Sequence, residues 1–349
     1  MKDISENIPL APYTTLKIGG PARFFLKAES EDDVIDGLAF ADKHALPVFI
    51  LGGGSNLLIS DNGFPGLVIQ IALKGITSKL ETEGSRLVVA QAGGDWDEFV
   101  VHCVKNDLAG VECLSGIPGF VGGTPVQNVG AYGQDVSETI VSVRCLNRLN
   151  REIVELSNDD CGFAYRTSIF NSTHRDRFIV LAVSFALSFG GSPKLAYKDI
   201  IEHFGDHQPS LAEVRDAVLK IRRAKSMVID PADPNSRSAG SFFKNPIVDR
   251  STLDEIAAVC PAVPSFNFDQ TRVKIPAAWL IENAGFHKGS ALGNAGISSN
   301  HTLALINRGG ATAAEFLRLK REIQVSVRTK FGIDLIPEPV FLGLESDLA

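Results

Sequence analysis

Val48-Phe-Ile-Leu-Gly-Gly-Gly-Ser-Asn-Leu-Leu58 is the stretch that decides how the chain folds. Pro47 precedes four apolar residues, and three glycines begin where those residues stop. An apolar run bounded in this way reads as a short buried strand. Glycines directly after a strand let backbone amides approach a pyrophosphate that side chains would hold off. The loop has no Lys-Ser or Lys-Thr of a P-loop and lacks the last glycine of the dinucleotide fingerprint. Taken alone, it is a phosphate site or a flexible turn.

Working outward, residues 31–44 carry Val34, Ile35, Leu38 and Ala41 at helical spacing, while 67–71 and 87–90 read as strands. Residues 95–106 form a helical pattern that Asp95 can cap. The first part is therefore rich in strand–helix alternation. Residues 114–133 are dense in Gly and Pro with little periodicity, and such a stretch inside a compact domain is more often functional than idle. Strands are expected at 140–146 and 178–189. A helix should follow the capping box Ser210-Leu-Ala-Glu213, carrying Val214, Val218 and Ile221 up to the basic Arg222-Arg-Ala-Lys225. Pro231 and Pro234 suggest a linker. The last third holds a short helix at 277–283 stopped by Gly285, a strand at 303–306, and a long helix from Thr312 to Phe331 closed by Gly332.

The chain has 349 residues, enough for two or three domains. Its 44% hydrophobic and 21% charged residues describe a soluble globular protein with no apolar run of membrane-spanning length. The start Met1-Lys-Asp-Ile-Ser-Glu lacks a basic region and an apolar core, so no signal peptide is read and a cytoplasmic location is expected. A net charge of -7 argues against a nucleic-acid groove. Five cysteines without Cys-x-x-Cys spacing fit buried thiols better than a disulfide frame or zinc site. His203 and His207 stand four apart, but Gly205 between them weakens a helix and no third ligand is evident, so they read as surface residues.

Six further places in the chain carry polar groups suited to chemistry. Gly116-Ile-Pro-Gly-Phe-Val-Gly-Gly-Thr-Pro-Val-Gln-Asn-Val-Gly-Ala-Tyr-Gly133 offers a second set of amides, so two loops can hold the two ends of one dinucleotide. In Gly162-Phe-Ala-Tyr-Arg-Thr-Ser-Ile-Phe170, the Arg166 guanidinium suits a planar carboxylate, although most arginines are solvated surface charges. Tyr197 and Lys225 can grip a diphosphate or merely decorate a surface. Ala239-Gly-Ser-Phe-Phe-Lys-Asn-Pro246 sets the Ser241 hydroxyl behind a glycine and near Lys244 and Asn245. Glu338 sits between Pro337 and Pro339, which hold it extended and remove neighbouring donors.

In this order, the segments resemble the UDP-N-acetylenolpyruvoylglucosamine reductase family, from about Thr15 to about Gly343. The resemblance implies an α+β fold, with a vanillyl-alcohol-oxidase/PCMH-type FAD-binding domain in two subdomains and a smaller α+β substrate-binding domain. The implied boundaries are 1–75 with a C-terminal return at 333–349, then 76–229, then 230–332. Tyr197, in Leu195-Ala-Tyr-Lys-Asp199, is similar to the substrate-clamping tyrosine of the type I branch.

By motif position, the resemblance implies catalytic roles for Arg166, Ser241 and Glu338, and substrate contacts from Tyr165, Tyr197, Lys225 and Asn245. It implies FAD contacts from Gly52, Gly53, Gly54, Ser55, Asn56, Leu57, Ile117, Pro118, Gly123, Val126, Gln127, Asn128 and Gly130. FAD is expected to be noncovalent, since the glycine loop contains no histidine or cysteine. NADPH is the expected reductant, and a monomer acting on small molecules is expected, without nucleic acid or membrane insertion. Two departures stand out: His301 occupies a place where some relatives have glutamine, and Pro339 one where others have valine.

Those roles imply a mechanism. Hydride passes from the flavin N5 to C3 of an enolpyruvyl ether, Arg166 neutralises the enolate, and a protonated Glu338 donates to the carboxylate. Ser241 then protonates C2. An oxidase on the same scaffold would not need Ser241 and Glu338 together, and a binding module without turnover would not need Arg166 with them.

Overall fold

The apolar run that ends at the first glycine is a strand, Val48–Leu51, lying parallel to Phe64–Ile71 with Val48 opposite Leu67 and Leu51 opposite Gln70. The computed structural model describes residues 3–344. Within it the chain divides into two compact units, one built mainly of 22–54 and 65–224, the other of 9–21, 55–64 and the chain from 225 onward. The expected span 1–75 is thus shared between the units. Residues 345–349 of the expected return at 333–349, and the first two residues, lie outside the described residues.

The first unit carries a sheet in the order Ser5–Pro9, Pro21–Ala28, Phe64–Ile71, Val48–Leu51. Helix α1, Glu31–Lys43, starts where Ser30 and Asp33 exchange side-chain and backbone bonds, and buries Val34, Leu38 and Ala41. A second sheet of six strands is antiparallel and centres on the long strand Phe178–Phe189, which pairs with Ile140–Asn147 on one side and Ser85–Gln91 on the other. Arg144 reaches across to Glu31 with two bonds of 2.9 and 3.2 Å, joining the second sheet to the first turn of α1. Helix α2, Trp96–Lys105, is capped by Asp95 and packs Trp96 and Phe99 against Phe185. Helices α3, Lys198–Phe204, and α4, Leu211–Ala224, follow; the capping box Ser210–Glu213 forms as expected.

The second unit has its own core around Phe242, Phe243, Phe316, Leu280 and Ile323. Four antiparallel strands run in the order Ser238–Ser241, Ala304–Asn307, Ala295–Ile297, Ala291–Leu292, and a three-stranded sheet joins Ile247–Asp249, Arg272–Lys274 and Phe266–Asn267. Helices α5, Arg250–Val259, α6, Ala277–Asn283, and α7, Ala313–Phe331, cover them. Thr312 and Glu315 box the start of α7, and Gly332 ends it in the left-handed region at φ 69°. The strand Val340–Leu342 pairs parallel with Leu57–Ile59, so the end of the described chain meets the segment just after the glycine loop.

Several elements carry little sequence signal. Strand Ile76–Thr82 is exposed along its whole length, so no face shows an apolar alternation, and α3 has seven residues with only Ile200 buried. The proline pair expected to mark a linker lies around a short 3-10 turn, Pro234–Ser236, capped by Asp233. Cys103, Cys113, Cys145 and Cys161 are buried free thiols and Cys260 is half-buried; burial pushes the Cys113 and Cys161 thiols up to about 12. His203 lies in α3, which ends before Gly205 at φ 55°, and His207 beyond it faces Glu213 at 3.3 Å. Among the described residues, no helix is long and apolar enough to cross a membrane.

Phe242 is wholly buried and stacks near Phe316 and Phe341. Phe242→Ala should lower unfolding free energy by about 3–5 kcal/mol, as expected for a large ring removed from a core. Urea denaturation followed by circular dichroism measures this; a loss below about 1 kcal/mol would contradict the packing described.

Candidate active site

Each unit gathers one set of the candidate residues. In the first, the loop after Val48–Leu51 brings Gly52, Gly53 and Gly54 beside the second glycine-rich stretch. A methyl group added to Gly53 would stand 2.7 Å from the Gly119 Cα, so the two main chains touch and glycine is required by sterics. Gly52 and Gly123 differ. A methyl group at either meets nothing within 4 Å, so those positions border space the protein leaves open. Side-chain-free space of this kind leaves room for a pyrophosphate.

Residues 112–135 are irregular, with 3-10 turns at Glu112–Leu114 and Val121–Gly123 and a two-residue pairing of Gly130–Ala131 with Gln134–Asp135. Ile117, Pro118, Val126 and Gln127 are half-buried along this stretch. The Asn128 side chain is spent inside the protein, donating to the Ala164 carbonyl at 3.1 Å and accepting from the Ser137 amide at 3.1 Å. Its main chain is engaged as well, the amide donating to the Pro125 carbonyl at 3.4 Å and the carbonyl accepting from Arg166 at 3.2 Å.

Tyr165 and Arg166 form the tip of a tight turn closed by reciprocal bonds between Ala164 and Thr167 of 2.9 and 3.1 Å. Arg166 takes φ 52°, a strained value for a side-chain-bearing residue. The strain is held by neighbours: Asn171 donates to the Arg166 carbonyl at 3.2 Å, and the Ser168 hydroxyl donates to the Val126 carbonyl at 2.6 Å. The guanidinium donates to the carbonyls of Asn128 and Gly130, lies 3.8 Å from the Asp135 carboxylate and covers the Tyr165 ring. A charge-bearing fork thus rests directly on the second glycine loop, suited to an anion planar enough to take two N–H bonds.

Tyr197 precedes α3 and its carbonyl receives the amides of Ile200 and Ile201. Its ring meets that of Tyr132 edge-on at 5.2 Å. Burial raises the pKa of both phenols; Asp199 adds to the effect at Tyr197, while a hydrogen bond from buried Arg222 opposes it at Tyr132. Neither Tyr132 nor Arg222 is singled out by the sequence. Arg222 looks like part of a basic helix end, and only its place on the Val214, Val218, Ile221 stripe of α4 signals that it faces inward.

The second unit assembles the rest. Gly240, at φ 72°, lies within an irregularity in the pairing of Ser238–Ser241 with Ala304–Asn307, where a left-handed residue delivers Ser241 at the strand end. Phe242 and Phe243, both buried, anchor the hydroxyl from the other side. The Glu338 amide donates to the Phe242 carbonyl at 2.9 Å and the Lys244 amide to the Ile336 carbonyl at 2.9 Å, so the Ser241 and Glu338 segments run side by side. Asn56 joins them: its side chain donates to the Glu338 carbonyl at 3.2 Å and its carbonyl receives the Val340 amide at 2.9 Å.

Ser55 and Leu57 flank that residue, the Ser55 carbonyl accepting from Thr15 at 3.3 Å. Asn245 caps α6 through a 2.9 Å bond from the Ala277 amide, which fixes its carboxamide. Lys225 follows α4 and is half-buried; His301 is half-buried, with its carbonyl bonded to the Ala304 amide at 3.1 Å. A half-buried serine and a half-buried glutamate thus stand on adjacent backbones.

Residues 22–157 match an FAD binding domain, and residues 231–342 match the C-terminal domain of UDP-N-acetylenolpyruvoylglucosamine reductase. The chain is 48% identical to the UDP-N-acetylenolpyruvoylglucosamine reductase of Thermobifida fusca (strain YX), over 97% of this chain and 98% of that protein. It is 45% identical to the protein of the same name from Saccharopolyspora erythraea, over 95% and 94% of the two chains. Among solved structures it is similar to the UDP-N-acetylenolpyruvylglucosamine reductase of Thermus caldophilus, with a TM-score of 0.66 and 25% identity over 97% of this chain and 98% of that one.

Proposed function

Since the chain belongs to the UDP-N-acetylenolpyruvoylglucosamine reductase family, FAD-dependent oxidoreductases of peptidoglycan precursor synthesis, we propose that it uses NADPH to convert UDP-N-acetylenolpyruvoylglucosamine into UDP-N-acetylmuramate. FAD bound there and reduced by NADPH would supply a hydride, from N5 to C3 of the enolpyruvyl group. The remaining steps belong to the protein's own side chains. In this reading residues 1–75 and 76–229 hold the FAD, and 230–332 bind the UDP-sugar.

Hydride addition at C3 drives negative charge onto C2 and the neighbouring carboxylate. Arg166 takes that charge through its guanidinium, and Glu338, kept protonated, donates to the carboxylate oxygen. Ser241 gives its proton to C2, completing addition of one hydride and one proton across the double bond. A serine hydroxyl is a weak acid, so the step relies on the basicity of the enolate, and Lys244 or water returns a proton to the alkoxide. Tyr165, Tyr197, Lys225 and Asn245 hold the UDP-sugar.

The observation that carries this reading is the bond from the Glu338 amide to the Phe242 carbonyl at 2.9 Å, which sets the hydroxyl-bearing and carboxyl-bearing segments next to each other. Ser241→Ala should leave FAD reduction by NADPH near the parent rate, because no proton reaches C2 in that half-reaction. Reoxidation of reduced flavin by the enolpyruvyl substrate should slow by about 10²–10⁴-fold or more. Stopped-flow absorbance follows both steps; rapid reoxidation with normal product yield would exclude Ser241 as the donor.

Noncovalent FAD contacts are tested best at the open glycines. Gly52→Val and Gly123→Val should weaken FAD binding while the apoprotein keeps its melting temperature, because the protein itself leaves room for the added atoms. Gly53→Val is expected to lower both, since its side chain would strike Gly119 before reaching any ligand. FAD titration by fluorescence quenching, with thermal melts, separates these outcomes. Parent-like affinity at both open positions would remove the two loops from the FAD site.

A further inference from the structure

The second glycine loop begins at Gly116, whose amide is held by a side chain that none of the motifs includes. Asp97, in the first turn of α2, accepts from the Gly116 N–H at 2.6 Å. The same carboxylate takes both arms of the Arg215 guanidinium, at 2.6 and 2.7 Å. Arg215 lies on α4 with its side chain 14% exposed, while the Asp97 side chain is 33% exposed, so the guanidinium is the more withdrawn of the two. Burial pushes the Asp97 carboxyl up, but the bonds from Arg215 and Gly116 outweigh it and leave the pKa below the ordinary value, so the group is ionised at neutral pH.

Its neighbours on α2 hold the same stretch of chain. The Trp96 indole donates to the Leu114 carbonyl at 3.0 Å, and the Trp96 amide donates to the Gly119 carbonyl at 3.0 Å. Gly119 is the residue against which Gly53 packs. A displacement at Gly116 therefore moves the contact between the two amide-bearing loops. The far end of the loop is held from the same helix, because Arg222, two turns beyond Arg215 on α4, hydrogen-bonds Tyr132.

We infer that Asp97, oriented by Arg215, is a positioning residue for FAD, its carboxylate oxygen setting the Gly116 amide and through it the spacing of the two glycine loops. The inference rests on the reading that these loops line the FAD. Asp97 touches no reacting atom; it acts through the main chain. Its two jobs use different properties. Holding Gly116 needs an acceptor oxygen at one place, whereas satisfying Arg215 needs a negative charge.

Two substitutions divide those jobs. Asp97→Asn keeps an oxygen for Gly116 and loses the charge facing Arg215. Asp97→Glu keeps the charge and moves the acceptor by one methylene. In full-length protein titrated with FAD, Asp97→Asn should bind within about threefold of the parent, while its apoprotein melts several degrees lower, a buried guanidinium having lost its counter-charge. Asp97→Glu should melt near the parent and bind FAD about tenfold or more weakly, the scale of one charge-assisted bond.

A purely structural role predicts that affinity follows melting temperature in both variants, and that result overturns the proposal. Parent-like FAD binding by Asp97→Glu overturns it as well. Gly123→Val, measured alongside, separates this failure from that of the underlying reading. If it weakens FAD while Asp97→Glu does not, only the role of Asp97 falls. If Gly123→Val binds FAD like the parent, the loop reading falls and takes the proposal with it.

Discussion

Where Gly53 faces Gly119, two lengths of main chain meet with no room for a methyl group, and the architecture of the first unit follows from that contact. The parallel strand pair delivers one loop, and the N-terminal turn of α2 holds the other through Trp96 and Asp97. Beside this contact of backbone on backbone, Gly52 and Gly123 border open space. The Tyr165–Arg166 turn then rests on the same loop through the carbonyls of Asn128 and Gly130, adding a guanidinium. Arg166 accepts a strained φ of 52° to reach that position, and Asn171 and Ser168 hold it there.

The second unit sets Ser241 and Glu338 on adjacent backbones beside a well-packed core. Ser241 stands between a bulge glycine and two buried phenylalanines, so the strand that carries it has little freedom to shift. Glu338 is tied to the adjacent carbonyl of Phe242, and Asn56 bonds both to Glu338 and to Val340. Pro337 and Pro339 contribute by lacking amide hydrogens, which leaves the Glu338 amide as the donor of that short segment. The serine and the glutamate thus stand on backbones fixed by main-chain bonds.

Much of this was legible in the chain because it depends on local signals. The capping boxes at Ser210–Glu213 and Thr312–Glu315, the left-handed end at Gly332 and the apolar strand 178–189 all depend on near neighbours in sequence, and each is found where it was read. What escaped is non-local. Strand Ile76–Thr82 is specified by pairing with Ser85–Gln91 and not by an apolar face. Arg222 and Arg215 look like ordinary helix charges until α4 is packed against α2, and Asp97 looks like one more acid in a first turn. Asn128 reads as a ligand group yet spends its carboxamide on Ala164 and Ser137. A motif shows which residues belong together, whereas the direction of each side chain is set by partners far along the chain.

The central claim is that one flavin is reduced by NADPH and reoxidised by an enolpyruvyl ether, with this chain's Arg166, Ser241 and Glu338 managing charge and protons. Anaerobic stopped-flow absorbance of the purified, FAD-loaded protein tests it most directly. NADPH should bleach the oxidised flavin band, and UDP-N-acetylenolpyruvoylglucosamine added to the reduced protein should restore it with formation of one UDP-N-acetylmuramate per flavin. A flavin that NADPH reduces but that only dioxygen reoxidises, with no UDP-N-acetylmuramate formed, would contradict the account.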